Sequence, residues 1–296
     1  MSNIEYEQLK PAFTRRIIAD SVVSVSPSVL SQAIDVSSTL DKNAQKPARG
    51  LPGYFTYGWK RASEEILKSH GQGIKTISLR FVSGIADGGD VDSGLAGFEQ
   101  TLSLIQNQIA GKDIRLIVDP FGLALTLDGQ WGLKNSQGSF DQERTYQLLE
   151  KVGYILATHR VHGVVTLGRI PEEVKITRQG IVAGGGHTKI YSFSQNSETS
   201  TAYVYLDSLG HNTGQKILPG NIVEMDLWAL MDIWHGADVS VIKPMESYHL
   251  MGSLNYFISD AETRGKLLRS GSSEERRGGN ERSIRWSSYT SKNKYR

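Results

Sequence analysis

Lys243 is the residue whose type and position most directly suggest chemistry. It lies near the end of the strand-like run 237–244, with Val241 and Ile242 before it and Pro244 after it. In an α/β barrel, the C-terminal ends of the parallel strands form the active-site mouth. A lysine amine that is partly withdrawn from water can attack a carbonyl carbon and form an imine. Position alone therefore predicts a Schiff-base lysine about as readily as a substrate-binding or structural one.

Three other polar patterns are weaker. The acidic run 87–94 has carboxylates at its positions 1, 4 and 6 and no glutamate that closes a calcium loop, which favours a surface turn. The glycines at 184–186 precede a strand-like run, whereas a phosphate-binding loop precedes a helix. His159 and His162 have no neighbouring carboxylate to complete a metal site. These patterns predict neither a metal site nor a cofactor.

The segments around these residues alternate between strand and helix. Strand-like runs lie at 76–82, 113–119, 163–167, 189–193 and 237–244, and helical apolar spacing at 98–109, 149–156 and 223–234. Such alternation predicts parallel strands joined by helices, and hence an α/β barrel or a doubly wound sheet. Periodicity does not choose between these two closures.

Composition excludes several classes of protein. The 296 residues are 39% hydrophobic, include no cysteine and contain no apolar run long enough to span a bilayer, which favours a globular cytoplasmic protein. The last 26 residues hold 7 of the 33 basic side chains but only 3 of the 31 acidic ones, so the rest of the chain is slightly acidic. We therefore expect neither nucleic acid nor a membrane surface as a partner.

The residues around Lys243 also carry a family resemblance. Gly-Ala-Asp-Val-Ser-Val-Ile-Lys-Pro at 236–244, with Tyr248 shortly after it, resembles the Schiff-base motif GAD-x-V-x-VKP of the porphobilinogen synthase (δ-aminolevulinate dehydratase) family. Segments 51–53, 119–132 and 190–196 are similar to further family segments in the same order. The resemblance implies a TIM-type (β/α)8 barrel with an N-terminal arm that builds homo-oligomers.

The resemblance also implies roles for individual residues. Lys243 would form the imine with an amino-keto or keto acid. Asp119 would assist proton transfer, because its counterpart lies in the family's active site. Tyr248 and Ser192 would bind the substrate. The small-molecule partner is thus a carbonyl compound, and the activity implied is that of a hydro-lyase in tetrapyrrole biosynthesis.

Several family positions hold other residues here. Asn196 stands at the position of the family's second imine-forming lysine, and Gly168 stands near that of an active-site aspartate. Phe121, Leu123 and Trp131 occupy the positions of the metal ligands. We therefore expect the standard two-lysine, zinc-dependent condensation to be impaired.

The two ends of the chain differ from its middle. Residues 1–20 are predicted to be an arm, with an additional strand at Ser21–Ser26. Residues 270–296 are rich in Ser, Gly and Arg without apolar spacing, which predicts disorder, and they resemble the translated reading frame of a sequencing adapter. We expect a barrel over 21–269 that lacks its last one or two βα units, followed by a non-native tail.

Two functions from different classes follow from these observations. The first is a divergent Schiff-base lyase of the porphobilinogen synthase type, which a retained Lys243 favours. The second is a non-catalytic barrel homologue that serves binding or assembly, which Asn196, Gly168 and the lost metal ligands favour.

Overall fold

The computed structural model describes residues 26–48, 52–82, 90–124, 131–167, 170, 172–196, 222–243, 247–262 and 265. The predicted arm at 1–20, nearly all of the predicted strand at Ser21–Ser26, Gly168 and the predicted tail at 270–296 lie outside these ranges. Within them, no helix has both the length and the apolar character needed to cross a bilayer.

Strands and helices alternate along the described residues. In chain order they are β1 (Ser31–Val36), β2 (Gln45–Pro47), β3 (Phe55–Tyr57), α1 (Trp59–Gly71), β4 (Thr76–Phe81), α2 (Val91–Gln108), β5 (Arg115–Asp119), α3 (Gln142–Thr158), β6 (Gly163–Thr166), α4 (Glu173–Ala183), β7 (Lys189–Asn196), α5 (Ile222–Trp234), β8 (Val239–Lys243) and α6 (His249–Ser259). Short 3-10 helices lie at Pro27–Val29 and Phe121–Ala124.

The strands form one sheet in the order β2-β3-β1-β4-β5-β6-β7-β8. From β1 through β8, each neighbouring pair along β1-β4-β5-β6-β7-β8 is parallel. A doubly wound sheet reverses its strand order partway, whereas the parallel strands β1-β4-β5-β6-β7-β8 stand in sequence order, as in a TIM-type fold. The predicted α/β fold is therefore confirmed, and its strand order is consistent with the predicted TIM-type fold. In the described part of the chain the sheet has two edges, β2 and β8, so closure into a barrel is not shown.

The helices cover one face of the sheet. In β4, the side chains of Ile77, Leu79 and Phe81 are completely buried on that face, and the Phe81 ring meets Phe98 of α2 with centroids 4.5 Å apart. Side chains alternate along a strand, so Arg80 points to the opposite face. We call that opposite face of the sheet the inner face.

Helices α3 and α4 approach each other closely through glycine. A Cβ added to Gly180 would lie 2.0 Å from the carbonyl oxygen of Glu150, and one added to Gly153 would lie 2.4 Å from that of Thr177. Neither position admits a side chain unless the backbones separate. These two glycines therefore set the spacing of the helix pair that supports β6 and β7.

The weaker sequence patterns have structural roles here. Asp90 caps α2, because its carboxylate accepts hydrogen bonds from the backbone N–H groups of Asp92 and Ser93. His159 Nε2 lies 3.0 Å from a carboxylate oxygen of Glu99, whereas His162 Nε2 lies 3.3 Å from the Tyr191 hydroxyl. The two histidines thus serve separate contacts.

Candidate active site

The C-terminal ends of three neighbouring strands carry a charged row on the inner face. Asp35 of β1 is the register partner of Arg80 of β4, and Arg80 is the register partner of Asp119 of β5. Register partners on adjacent strands point to the same face, with strands about 4.8 Å apart. Asp119, predicted from the resemblance, therefore lies beside Arg80, with Asp35 one strand further along the row.

Asp35 and Arg80 form a two-pronged ion pair. The guanidinium donates from Nε to Oδ1 of Asp35 at 2.9 Å and from Nη2 to Oδ2 at 2.6 Å. The Tyr54 hydroxyl donates to the same Oδ1 at 3.0 Å. Only 5% of the Asp35 side chain is exposed, against 41% for Arg80. The buried Asp35 carboxylate thus accepts three hydrogen bonds from protein groups, while the Arg80 side chain reaches the surface.

The ionisation of this cluster follows from its geometry. Burial tends to lower the pKa of Arg80, but hydrogen bonds and charge from Asp35, then the charge of Asp119, raise it above its ordinary value. Burial and the Asp35 carboxylate together raise the pKa of Tyr54 to about 12. Arg80 is therefore always charged and Tyr54 always neutral at physiological pH.

Lys243 is the last residue of β8, so it lies at the same C-terminal end of the sheet as the charged row. Its register partner on β7 is Asn196. β7 carries one extra residue between Ser192 and Gln195, which pair with Ser240 and Ile242 respectively. The predicted imine-forming lysine and the asparagine at the second lysine's position are thus side by side. The family resemblance alone could not place them as neighbours.

Ser192 lies on the helix side of the sheet. Its side chain is 1% exposed, donates to a carboxylate oxygen of Asp232 in α5, and lies 3.0 Å from the Ser194 hydroxyl. Burial raises the pKa of Asp232 to about 6, although the hydrogen bonds from the two serines act in the opposite direction. The structure therefore brings Ser192 to Asp232 rather than to Lys243, and its predicted contact with substrate stays a prediction.

A second buried carboxylate lies one helical turn and a half earlier in α5. Asp226 accepts a hydrogen bond from Gln195 Nε2 at 3.0 Å and another from the Ser253 hydroxyl of α6. Gln195 in turn accepts from the Ser240 hydroxyl at 3.0 Å. These bonds fasten α5 and α6 to the two strands that carry Asn196 and Lys243.

Tyr248, the other predicted substrate-binding residue, is 70% exposed immediately before α6. Gly168 lies outside the described residues. Three of the predicted residues lie at the C-terminal end of the sheet: Asp119, Asn196 and Lys243.

The residues at the family's metal-ligand positions do not suit a metal ion. Leu123 is 3% exposed within the hydrophobic core, and Trp131 packs against that core. A hydrocarbon side chain has no lone pair, and an indole N–H is a donor only. We therefore derive no step of the chemistry through a metal at this position.

We predict that carbonyl capture by this chain needs no zinc. Prolonged treatment with a chelator should leave the yield of trapped adduct unchanged, because neither Leu123 nor Trp131 can hold the ion. Elemental analysis before and after treatment, alongside adduct yield, checks this. Stoichiometric zinc that co-purifies and is required for the reaction would contradict it.

Asp35 and Arg80 were missed because their pairing joins residues 45 positions apart. A signal was present in each strand, since each residue is a charged side chain between two apolar ones near a strand end. A charged residue in such a place on a parallel strand indicates the mouth of the sheet. The partnership itself requires the register.

Comparisons with known proteins bear on the fold. No family model and no curated protein matches this chain. Among solved structures, it is similar to delta-aminolevulinic acid dehydratase (porphobilinogen synthase) from Toxoplasma gondii ME49, determined in complex with the reaction product porphobilinogen. The TM-score is 0.60 and the identity 20%, over 79% of this chain and 69% of that one. At this identity the likeness shows a porphobilinogen synthase-like fold.

Proposed function

We propose that this chain is a Schiff-base lyase of the porphobilinogen synthase type that captures an amino-keto or keto acid on Lys243. The observation that carries the proposal is the position of Lys243 at the C-terminal end of a parallel strand. Asp119 ends another parallel strand at the same end of the sheet. The similarity of fold supports it because the motif around Lys243 and the overall architecture point to the same family.

The proposed imine formation on Lys243 requires no cofactor. Its neutral amine attacks the substrate carbonyl carbon, a carbinolamine forms, and loss of water gives the imine. The carbinolamine oxygen must gain a proton and the nitrogen must lose one, and Asp119 is the proposed proton carrier. Asn196 cannot form a second imine, because its amide nitrogen shares its lone pair with the carbonyl group.

Reductive trapping tests the proposal. The full chain is incubated with 5-aminolevulinate and borohydride, and the adduct is located by peptide mass mapping. We expect a single reduced adduct on Lys243, lost in Lys243→Ala. Lys189→Ala is the matched control, since Lys189 is an exposed lysine at the start of the neighbouring strand and should leave trapping unchanged.

Two results would contradict the proposal. An adduct on another lysine would assign the imine elsewhere, and undiminished trapping in Lys243→Ala would remove its basis. Absence of any adduct with 5-aminolevulinate or simple keto acids would favour the second function, a non-catalytic barrel homologue. Asn196 beside Lys243 is the observation that keeps this alternative open. Self-assembly into a homo-oligomer accompanies either function as a prediction.

A further inference from the structure

We propose that the Asp35–Arg80 ion pair is a positioning device that holds the Asp119 carboxylate in place and in its charged form. This inference deepens the proposed function, in which Asp119 carries protons. It rests on three consecutive register partners, Asp35, Arg80 and Asp119, at the ends of adjacent parallel strands.

The guanidinium has two edges, and only one of them meets Asp35. The hydrogen bonds to Asp35 leave from Nε and Nη2, so Nη1 lies on the opposite side of the planar group. Asp119 is the partner of Arg80 on the strand away from β1, and its charge acts on Arg80. Arg80 is therefore a bridge between a buried carboxylate and a more accessible one.

Tyr54 and burial make this bridge rigid. Asp35 cannot rotate without losing bonds from both Arg80 and Tyr54, and its side chain has almost no access to water. A bidentate arginine–carboxylate pair fixes the plane of the guanidinium as well as its position. The charge presented to Asp119 is consequently fixed in place, whereas a free surface arginine would move among rotamers.

Several described elements surround Asp119. Toward β4 and β1 stand Arg80, Asp35 and the neutral Tyr54. On its other side, β6 carries Val164 and Val165, which do not titrate. On β5 itself, Arg115 lies at the opposite end of the strand. Lys243 ends β8, which is three strands further along the sheet than β5.

The contacts of Arg80 argue against its use as a substrate-binding arginine. Two of its donors are taken by Asp35, and the charge of Asp119 acts on the same guanidinium. Arg80 therefore acts through Asp119 and need not touch the substrate.

Titration of Asp119 tests the proposal without any substrate. The full chain carries ¹³C at the aspartate carboxyl groups, and the Asp119 resonance is assigned by its loss in Asp119→Asn. In the double variant Asp35→Leu with Arg80→Met, which leaves no unpaired buried charge, we expect the midpoint to rise by about one pH unit or more. Arg61→Met removes a surface arginine of α1 and should leave the midpoint unchanged.

The outcomes are separable from those of the trapping experiment. A midpoint in the double variant that equals the wild-type value would overturn the positioning role, even if Lys243 traps substrate. If the double variant does not fold, Arg80→Lys decides, because it retains a charge but not the fork. A raised Asp119 midpoint in Arg80→Lys supports the proposal, and an unchanged one overturns it.

Discussion

Incubated with 5-aminolevulinate, the chain should form porphobilinogen at least roughly a hundredfold more slowly than an enzyme with two imine-forming lysines. The reason is that Asn196 occupies the register position beside Lys243. A second imine both holds and activates the other substrate molecule, and loss of a group that orients a reactant costs on the order of a hundredfold or more in rate. A colorimetric pyrrole assay on the purified chain measures this directly.

Paired substitutions at position 196 sharpen this assay. Asn196→Lys supplies the missing amine and should raise pyrrole formation, provided that the rest of the edge is intact. Asn196→Gln changes the length of the side chain without supplying an amine and should stay at the wild-type level. Pyrrole formation by the unmodified chain at the rate of a two-lysine enzyme would contradict the prediction.

The second large effect concerns stability and pH. Asp232 is 2% exposed, and burial raises its pKa to about 6 from the ordinary 3.8. The folded state therefore binds its proton more tightly than the unfolded state does. Stability from this group is fully present below about pH 4 and is lost as the pH rises through about 6, a change of about 3 kcal/mol.

Unfolding by urea between pH 4 and pH 7 tests this sign. The difference in unfolding free energy between wild type and Asp232→Asn should shift in favour of the variant as the pH rises, because an amide stays neutral. Asp92→Asn, at a side chain that is 78% exposed, should show a much smaller dependence. Identical pH profiles for wild type and Asp232→Asn would show that the buried carboxyl does not titrate as described.

The strands that the sequence predicted carry apolar residues in runs or in alternation with polar ones. β4, β5, β6, β7 and β8 were all located within a few residues of their ends. β1 was missed because Asp35 interrupts its short apolar run. The burial of Asp35 depends on Arg80, which is distant in sequence.

The helices divide in the same way. α2, α3 and α5 carry regular apolar stripes and were predicted. α4 buries Glu173, Thr177 and Gly180 beside its apolar residues, and α1 buries Ser63 and Ser69. A buried face made of small or polar side chains carries few large apolar residues, since its burial depends on close backbone approach or on hydrogen bonds. These two helices therefore bury fewer of the large apolar residues by which the other three were recognised.

The site shows the limit of motif-based inference more clearly. Lys243 and Asp119 could be identified because each stands in a motif beside a strand end. The partner of Ser192 could not, because the strand motif says nothing about Asp232 forty residues later. Which face a residue occupies depends on strand phase, and phase in β7 changes at an irregularity that the sequence does not mark.

That irregularity determines how β7 tolerates insertions and deletions. Ser192 and Asn196 are four residues apart, which in a regular strand would put both on the helix side. The extra residue between Ser192 and Gln195 reverses the phase and places Asn196 beside Lys243. If one residue between Ser192 and Gln195 were deleted and the bulge were lost with it, the residues on both sides of the deletion would keep their present faces of the sheet. A length change after Gln195 would instead replace the neighbour of Lys243, so an ungapped alignment through β7 can compare residues from opposite faces of the sheet.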